Sequence, residues 1–175
     1  MKRIILGVVT FFCLMTTHSF AQQQTLNEII HFQLFTNCEP MSLLVGELSK
    51  DVLKLGLTKE SIKKVAENRL RAARLYSNKI ANSYLRIEVR VSGVAFSISI
   101  LLNKAVFDRF YTQGFGYVTT WSNGFLGTHG EKWWKTHTIG GVKARKYIMS
   151  NLTGVVDDFL IEFLRVNDEA CRKKK

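Results

Sequence analysis

The sequence predicts an α+β fold, a two-layer sandwich in which two long helices pack on one face of a mostly antiparallel four-stranded sheet. Two segments, around residues 59–76 and 144–166, carry apolar side chains at spacings of three and four, which is typical of amphipathic helices. Between them, residues 84–100 alternate apolar and polar side chains, as strands with one buried face do. Helices with one apolar face bury it against a sheet or another helix. We therefore expect the element order β-α-β-β-β-α.

The amino terminus has the pattern of a cleavable signal peptide, residues 1–21. Two basic residues precede an apolar stretch, and Ser19-Phe20-Ala21 has small residues at the positions that a signal peptidase recognises. We expect cleavage after Ala21, which leaves 154 of the 175 residues, enough for one domain. The protein is thus expected to be periplasmic or secreted. Cys13 lies inside the apolar stretch and not after a small-residue box, so we expect no lipoprotein anchor.

The first part of the predicted domain leads into the clearest helix of the chain. Residues 22–40 predict an arm or a short helix, because their apolar residues have no clean period. The apolar run 41–48 predicts a strand, and 49–55 a short helical turn. Thr58 can cap the helix predicted over 59–76. Its apolar stripe consists of Ile62, Val65, Ala66, Leu70, Ala73 and Tyr76.

Three further strands are expected to form an antiparallel meander. Residues 84–91 and 96–100 alternate in polarity and are joined by Ser92-Gly93, a plausible hairpin turn. An aromatic-rich turn, residues 107–115, then leads to a third strand over 116–121.

A long loop and the last helix complete the predicted domain, which spans residues 41–171. Five glycines within 123–141 predict the loop. The final helix is predicted over 144–166. Residues 172–175 form a basic tail, which is either a solvated end or a segment attracted to acidic lipid headgroups or polyanions.

The cysteines predict a disulfide, and the expected export argues against one class of partner. Cleavage leaves Cys38 and Cys171, an even pair in an oxidising compartment, so we expect a disulfide; two separate buried thiols are the alternative. Cleavage also lowers the formal net charge from +11 to +9, because Lys2 and Arg3 are removed. Export and the lack of a recognition motif argue against a nucleic-acid partner.

Catalytic signatures are mostly missing from the sequence. It has no nucleophile elbow, no glycine-rich phosphate loop after a strand and no zinc-protease helix motif. His129, Glu131 and His137 are the best candidate metal ligands, and they define an alternative function, a metal-assisted hydrolase. Ordinary loop residues are the other interpretation of the same three side chains. We expect no cofactor, and a binding protein rather than an enzyme.

Aromatic and basic residues in the third strand and the loop form the candidate binding surface. Such neighbours suit a protein hot spot, a lipid interface or a sugar-stacking surface, so a lipid or glycan binder is a further alternative. Packing of most of the aromatics over the open side of the sheet is the competing interpretation. The candidate binding residues are Trp121, Phe125, Lys132, Trp133, Trp134 and Lys135.

Charges on the helices have both a structural and a functional interpretation. Arg69, Arg71 and Arg74 could form a patch for an acidic partner, although a solvated helix face is the preferred interpretation. Glu67 can pair with Arg71 at a spacing of four.

The chain resembles a family of small exported bacterial proteins of unknown function. The resemblance covers nearly the whole mature chain and is carried by residues 56–58, 69–76, 119–121, 127–130 and 159–167. It implies no activity and no catalytic residue. In element order the chain is also similar to periplasmic envelope-assembly modules, namely the lipopolysaccharide-assembly lipoprotein and the amino-terminal domain of the Tol propeller protein. We therefore expect an exported binding or envelope-associated protein whose partner is an unidentified protein or envelope component.

Overall fold

The computed structural model describes residues 27–108, 114–128 and 139–174. The predicted signal peptide lies outside the described residues. The chain divides into two compact units, Met1–Gln33 and Leu34–Lys175. In the first unit the described residues, 27–33, are helical.

The second unit has the predicted α+β architecture. Its sheet is open and has the strand order β1-β2-β3-β4, in which β1 runs parallel to β2 and the other neighbours are antiparallel. The element order confirms the prediction, with one short helix in the place of the predicted helical turn. The elements are β1 (Ser42–Val45), α1 (Lys50–Lys54), α2 (Lys59–Ala72), β2 (Ser83–Ser92), β3 (Ala95–Asp108), β4 (Gly114–Thr128) and α3 (Ile139–Lys173).

Strands β2 and β3 form the hairpin that the alternating pattern predicts. Gly93 has a positive φ of 57°, a conformation that glycine adopts without a Cβ penalty, and it turns the chain between the two strands. In the resulting register Ile87 lies opposite Ile100, and Val89 opposite Ile98. The apolar residues of both strands therefore share one face, which is buried beneath the helices.

Helix α2 begins where predicted and ends earlier. Thr58 caps it through a reciprocal capping box with Ser61. The prediction that it continues to Tyr76 was wrong, because the chain leaves the helix at Arg74, which has a φ of 61°. The Leu75 N–H then donates to the Leu70 carbonyl at 2.8 Å and the Arg74 N–H to the Arg71 carbonyl at 2.9 Å, a Schellman motif.

Helix α3 is longer than the predicted 144–166 and includes part of the supposed basic tail. Ion pairs between Asp168 and Arg172 and between Glu169 and Lys173, each four residues apart, support its last turns. Basic residues also interact favourably with the carboxyl end of a helix dipole. The apolar face of α3 is buried as predicted through Ile148, Leu152, Val155, Val156, Phe159 and Phe163.

The largest error in the sequence prediction concerns the length of strand β4. The strand was expected over 116–121 and continues to Thr128, so the loop prediction was wrong for residues 123–128. The loop was predicted there because of two glycines, Gly124 and Gly127, which lie within the strand. A Cβ at Gly124 would lie 2.7 Å from the Ile98 carbonyl oxygen, and one at Gly127 would lie 2.9 Å from the Phe96 ring. These glycines therefore permit close approach to β3, which is a known use of glycine within strands.

The two long helices cover one side of the sheet. Helix α2 packs on β1 and along α3, and α3 packs on β3 and β4. Arg69 of α2 and Asp157 of α3 form an ion pair of 3.2 Å between the helices. The predicted pairing of Glu67 with Arg71 is confirmed, with Nη2 and Oε1 2.7 Å apart. Both arginines are thus engaged within the domain.

Candidate functional site

The outer edge of β4 is the most conspicuous unpartnered feature of the described sheet. One side of the strand pairs with β3 along its whole length, from Gly114 opposite Asp108 to Thr128 opposite Ala95. No strand among the described residues pairs with the other side. An edge strand directs a row of backbone N–H and C=O groups away from the sheet. Strand β4 can therefore accept a further strand.

The composition of β4 is unusual for an edge. Proteins commonly protect edge strands with charged side chains, proline, bulges or short length. The 15 residues of β4 include no Lys, Arg, Asp, Glu or Pro. One irregularity interrupts the strand, a bulge at Thr120 between the pairs Leu102–Trp121 and Asn103–Thr119. The opposite edge, β1, has only four residues.

Trp121 and Phe125, two of the predicted binding residues, lie on the helix-facing side of β4. Trp121 is only 8% exposed, its ring centroid lies 5.1 Å from that of Phe159, and its indole N–H donates to the Glu162 carboxylate at 3.2 Å. Phe125 is half-buried, with its ring 5.7 Å from that of Phe96. Trp121 is therefore buried between the sheet and α3, and it joins the two.

The remaining candidate residues of the predicted loop are not described by the structure. They are the aromatic and basic residues Lys132, Trp133, Trp134 and Lys135 and the candidate metal ligands His129, Glu131 and His137, all of which lie outside the described residues. Within the described ranges, no group of three or more His, Cys, Asp or Glu side chains could hold a metal ion.

The face of the sheet opposite the helices is polar beside β4. On β2, the Glu88 carboxylate accepts from Arg86 at 2.7 Å and from Arg90 at 2.8 Å. Hydroxyl side chains of β3 and β4 continue this surface, and a shallow depression of about 530 Å³ lies among them. Leu126 stands at the β4 side of this face and is 78% exposed. An added strand would extend a polar surface here, with single apolar side chains along it.

The first half of β4, before the bulge at Thr120, makes polar contacts that the sequence did not predict. The Thr119 hydroxyl donates to the side-chain oxygen of Asn103 at 2.7 Å, and Asn103 is buried. The Tyr117 hydroxyl donates to the Ala81 carbonyl at 3.0 Å, and its ring meets that of Tyr84 edge-on. These contacts fix the position of the strand and involve no described strand at its outer edge.

The predicted disulfide between Cys38 and Cys171 is confirmed, with Cα atoms 5.1 Å apart. Beside it, the buried Asn167 binds the same two segments together. Its side-chain oxygen accepts from the backbone N–H groups of Thr36 at 2.9 Å and Cys38 at 3.2 Å. Sequence reasoning overlooked Asn167, although it continues the apolar stripe of α3 four residues after Phe163. A polar residue at such a position is the signal that could have identified it.

Comparisons with known proteins leave the family of the chain open. No protein-family model matches the sequence, and no curated protein is similar to it. Among solved structures, rare lipoprotein B from Shewanella oneidensis matches with 10% sequence identity and a TM-score of 0.30, over 73% of this chain and 97% of that one. In the described part of the chain, no helix has the length and apolar character needed to cross a membrane.

Proposed function

We propose that the protein is an extracytoplasmic binding protein that accepts an extended segment of a partner protein as an additional strand beside β4. The observation that carries the proposal is the 15-residue outer strand without a charge or a proline. Strand addition takes its affinity from main-chain hydrogen bonds and its specificity from alternate side chains. A long, uncharged edge is the surface that this mode of binding requires.

The side chains of β4 supply the specificity in this proposal. Val118, 44% exposed, and Leu126, 78% exposed, lie in the two halves of the strand, on either side of the bulge. A partner strand that places apolar residues beside them buries those surfaces from water. After the expected cleavage the chain carries a formal net charge of +9, because Lys2 and Arg3 are removed from a chain of +11, so acidic residues flanking the bound segment would be attracted to it.

The compartment in the proposal follows from the disulfide and the amino-terminal pattern. Disulfides persist in oxidising compartments outside the cytoplasm. The Cys38–Cys171 bond, together with the predicted signal peptide, supports a site of action in the periplasm or outside the cell. Partners in these compartments include other envelope proteins.

Charges placed on the edge test the proposal. The double variant Val118→Lys and Leu126→Lys adds two lysines at exposed positions, where they oppose strand pairing and disturb the core little. We expect at least a tenfold lower recovery of the crosslinked partner from envelope extract. The matched control is Leu53→Lys with Ile161→Lys, which adds the same charge at exposed apolar positions of α1 and α3.

Hydrogen exchange locates the contact once the partner is captured. We expect amide protection on binding to be concentrated in residues 114–128. Equal recoveries with both double variants, or protection confined to other elements, would show that β4 is not the binding surface. Sedimentation of the purified protein distinguishes a second copy as the occupant, because a dimer that the Lys variants dissociate would replace the heterologous partner in this proposal.

A further inference from the structure

A second surface, separate from β4, lies beside the disulfide. A cleft of about 600 Å³ opens between the segment around Cys38, the end of α2 and the last turns of α3. Its apolar lining includes Pro40, Ala73 and Leu164. Its charged lining consists of the cations Arg74, Arg172 and Lys174 and the carboxylate of Asp168. Small-molecule sites commonly have volumes of about 300–1,000 Å³ and combine an apolar lining with a few polar groups.

The walls of this cystine cleft are fixed to one another. The disulfide joins Cys38 to Cys171 of α3, and the side chain of Asn167 accepts the Cys38 N–H at 3.2 Å. On the α2 side, the Met41 N–H donates to the Leu75 carbonyl at 2.8 Å, and the Ser77 N–H to the Met41 carbonyl at 2.8 Å. The cleft is therefore formed without a ligand, which lowers the ordering cost of binding.

Arg74 occupies a backbone position that favours glycine. It follows the last turn of α2 with a φ of 61°, where a residue with a Cβ is strained. The described residues give its guanidinium neither a hydrogen bond nor an ion pair. Strained residues persist where the surroundings or a function require them. Here the strained residue places a cation in the lining of the cleft.

The charge of the cleft is only partly compensated. The Asp168 carboxylate accepts a hydrogen bond from the Arg172 guanidinium, and this bond and the negative charge of Asp168 raise the pKa of Arg172, so that this arginine is paired. Asp168 also lines the cleft, so its described lining has three cations and one carboxylate. Cations also offset the dipoles of α2 and α3, which both end here. The interaction with the helix dipoles does not, however, explain the apolar lining of the cleft or the positive φ of Arg74.

We propose that the cystine cleft binds an anionic group, a phosphate or a carboxylate, carried by a molecule with an apolar part. Arg74 and Lys174 would bind the anion, because a guanidinium forms paired, charge-assisted hydrogen bonds with such groups. The apolar part would lie against Pro40, Ala73 and Leu164. Both the headgroup of an acidic lipid and a small organic anion have this chemistry.

Titration of the purified oxidised protein with hexyl phosphate, inorganic phosphate and hexanol tests the proposal. We expect hexyl phosphate to bind more tightly than either of the others, because it alone engages both the cations and the apolar lining. Arg74→Gly should weaken its binding at least tenfold while the melting temperature stays unchanged or rises, since glycine relieves the positive φ. Lys63→Ala is the matched control, because it removes one exposed positive charge from α2 outside the cleft.

A second variant and a vesicle assay complete the experiment. Lys174→Ala should weaken binding several-fold without a change in melting temperature. Vesicles with phosphatidylglycerol, compared with phosphatidylcholine alone, distinguish the sources: Arg74-dependent binding to the acidic vesicles identifies a lipid headgroup, and binding to hexyl phosphate alone identifies a soluble anion. Wild-type affinity for hexyl phosphate in both Arg74→Gly and Lys174→Ala would overturn the proposal, as would equal affinities of the wild type for all three probes.

Discussion

Asn167 shows how much of this fold depends on one buried amide. Its nitrogen donates to the carbonyls of Leu34 at 3.0 Å and Phe163 at 2.9 Å, while its oxygen accepts from Thr36 and Cys38. The side chain is fully buried, so water does not reach these groups. One residue near the carboxyl end thereby satisfies backbone groups more than 120 residues earlier in the chain.

Replacement of Asn167 by alanine should destabilise the protein by about 2–4 kcal/mol, because several buried backbone groups lose their partner at once. Guanidinium unfolding of the oxidised protein measures the change. Asn68→Ala is the control, since Asn68 is exposed on α2 and alanine favours a helix. A loss below about 0.5 kcal/mol for Asn167→Ala would mean that water replaces the amide.

The sequence identifies some of these residues and misses others for a physical reason. Cys38 and Cys171 could be paired because they are the two cysteines left after the predicted cleavage. The role of Asn167 could not be predicted, since its partners Thr36 and Cys38 reach it only through the tertiary fold. Arg74 was assigned to a helix face, because a positive φ at an arginine leaves no signature in the residue pattern.

At the scale of the elements, the first turn of α2 is stabilised both by its capping box and by the carboxylate of Glu60. The backbone N–H of Glu60, followed by the Thr58 hydroxyl, holds the pKa of the Glu60 carboxyl below its ordinary value. A negative charge in the first turn also suits the amino end of the helix dipole. The ionised carboxylate therefore stabilises α2 through local contacts.

Glu60→Gln should lower the melting temperature at pH 7 by a small amount that disappears in acid. The folded pKa lies below the unfolded value of about 4.5, so the stabilisation by Glu60 is complete above that value and is lost as the pH falls through the folded pKa. Thermal unfolding of both proteins at pH 7 and near pH 3 checks this expectation. A difference that persists unchanged at pH 3 would assign the effect to packing and not to charge.

Local pattern predicts the elements to different degrees. The hairpin of β2 and β3 follows from alternation, because one face of each strand is buried under helices. Strand β4 lacks that pattern in its second half, where Gly124 and Gly127 accommodate the neighbouring strand. Its outer edge, the candidate site, emerges only once the pairing order of the sheet is known. The composition of β4 is visible in the sequence, whereas its position at the edge is not.

At the scale of the whole molecule, the disulfide closes a loop with a sequence separation of 133 residues. Replacement of both cysteines by serine should destabilise the protein by about 2–5 kcal/mol, mainly because the unfolded chain regains freedom. The midpoint of guanidinium unfolding should fall accordingly, and reduction of the wild type should have the same effect. Coincident midpoints for the oxidised and reduced wild-type protein would show that noncovalent contacts such as those of Asn167 suffice.

The same bond makes the chain between Cys38 and Cys171 a covalent ring. A protease that cuts once inside it produces two fragments that remain joined until a reductant is added. Such a nick adds the mass of one water molecule and changes migration on a gel only under reducing conditions. The predicted processing site after Ala21 lies outside the ring, so maturation at the amino terminus releases its product while internal damage does not.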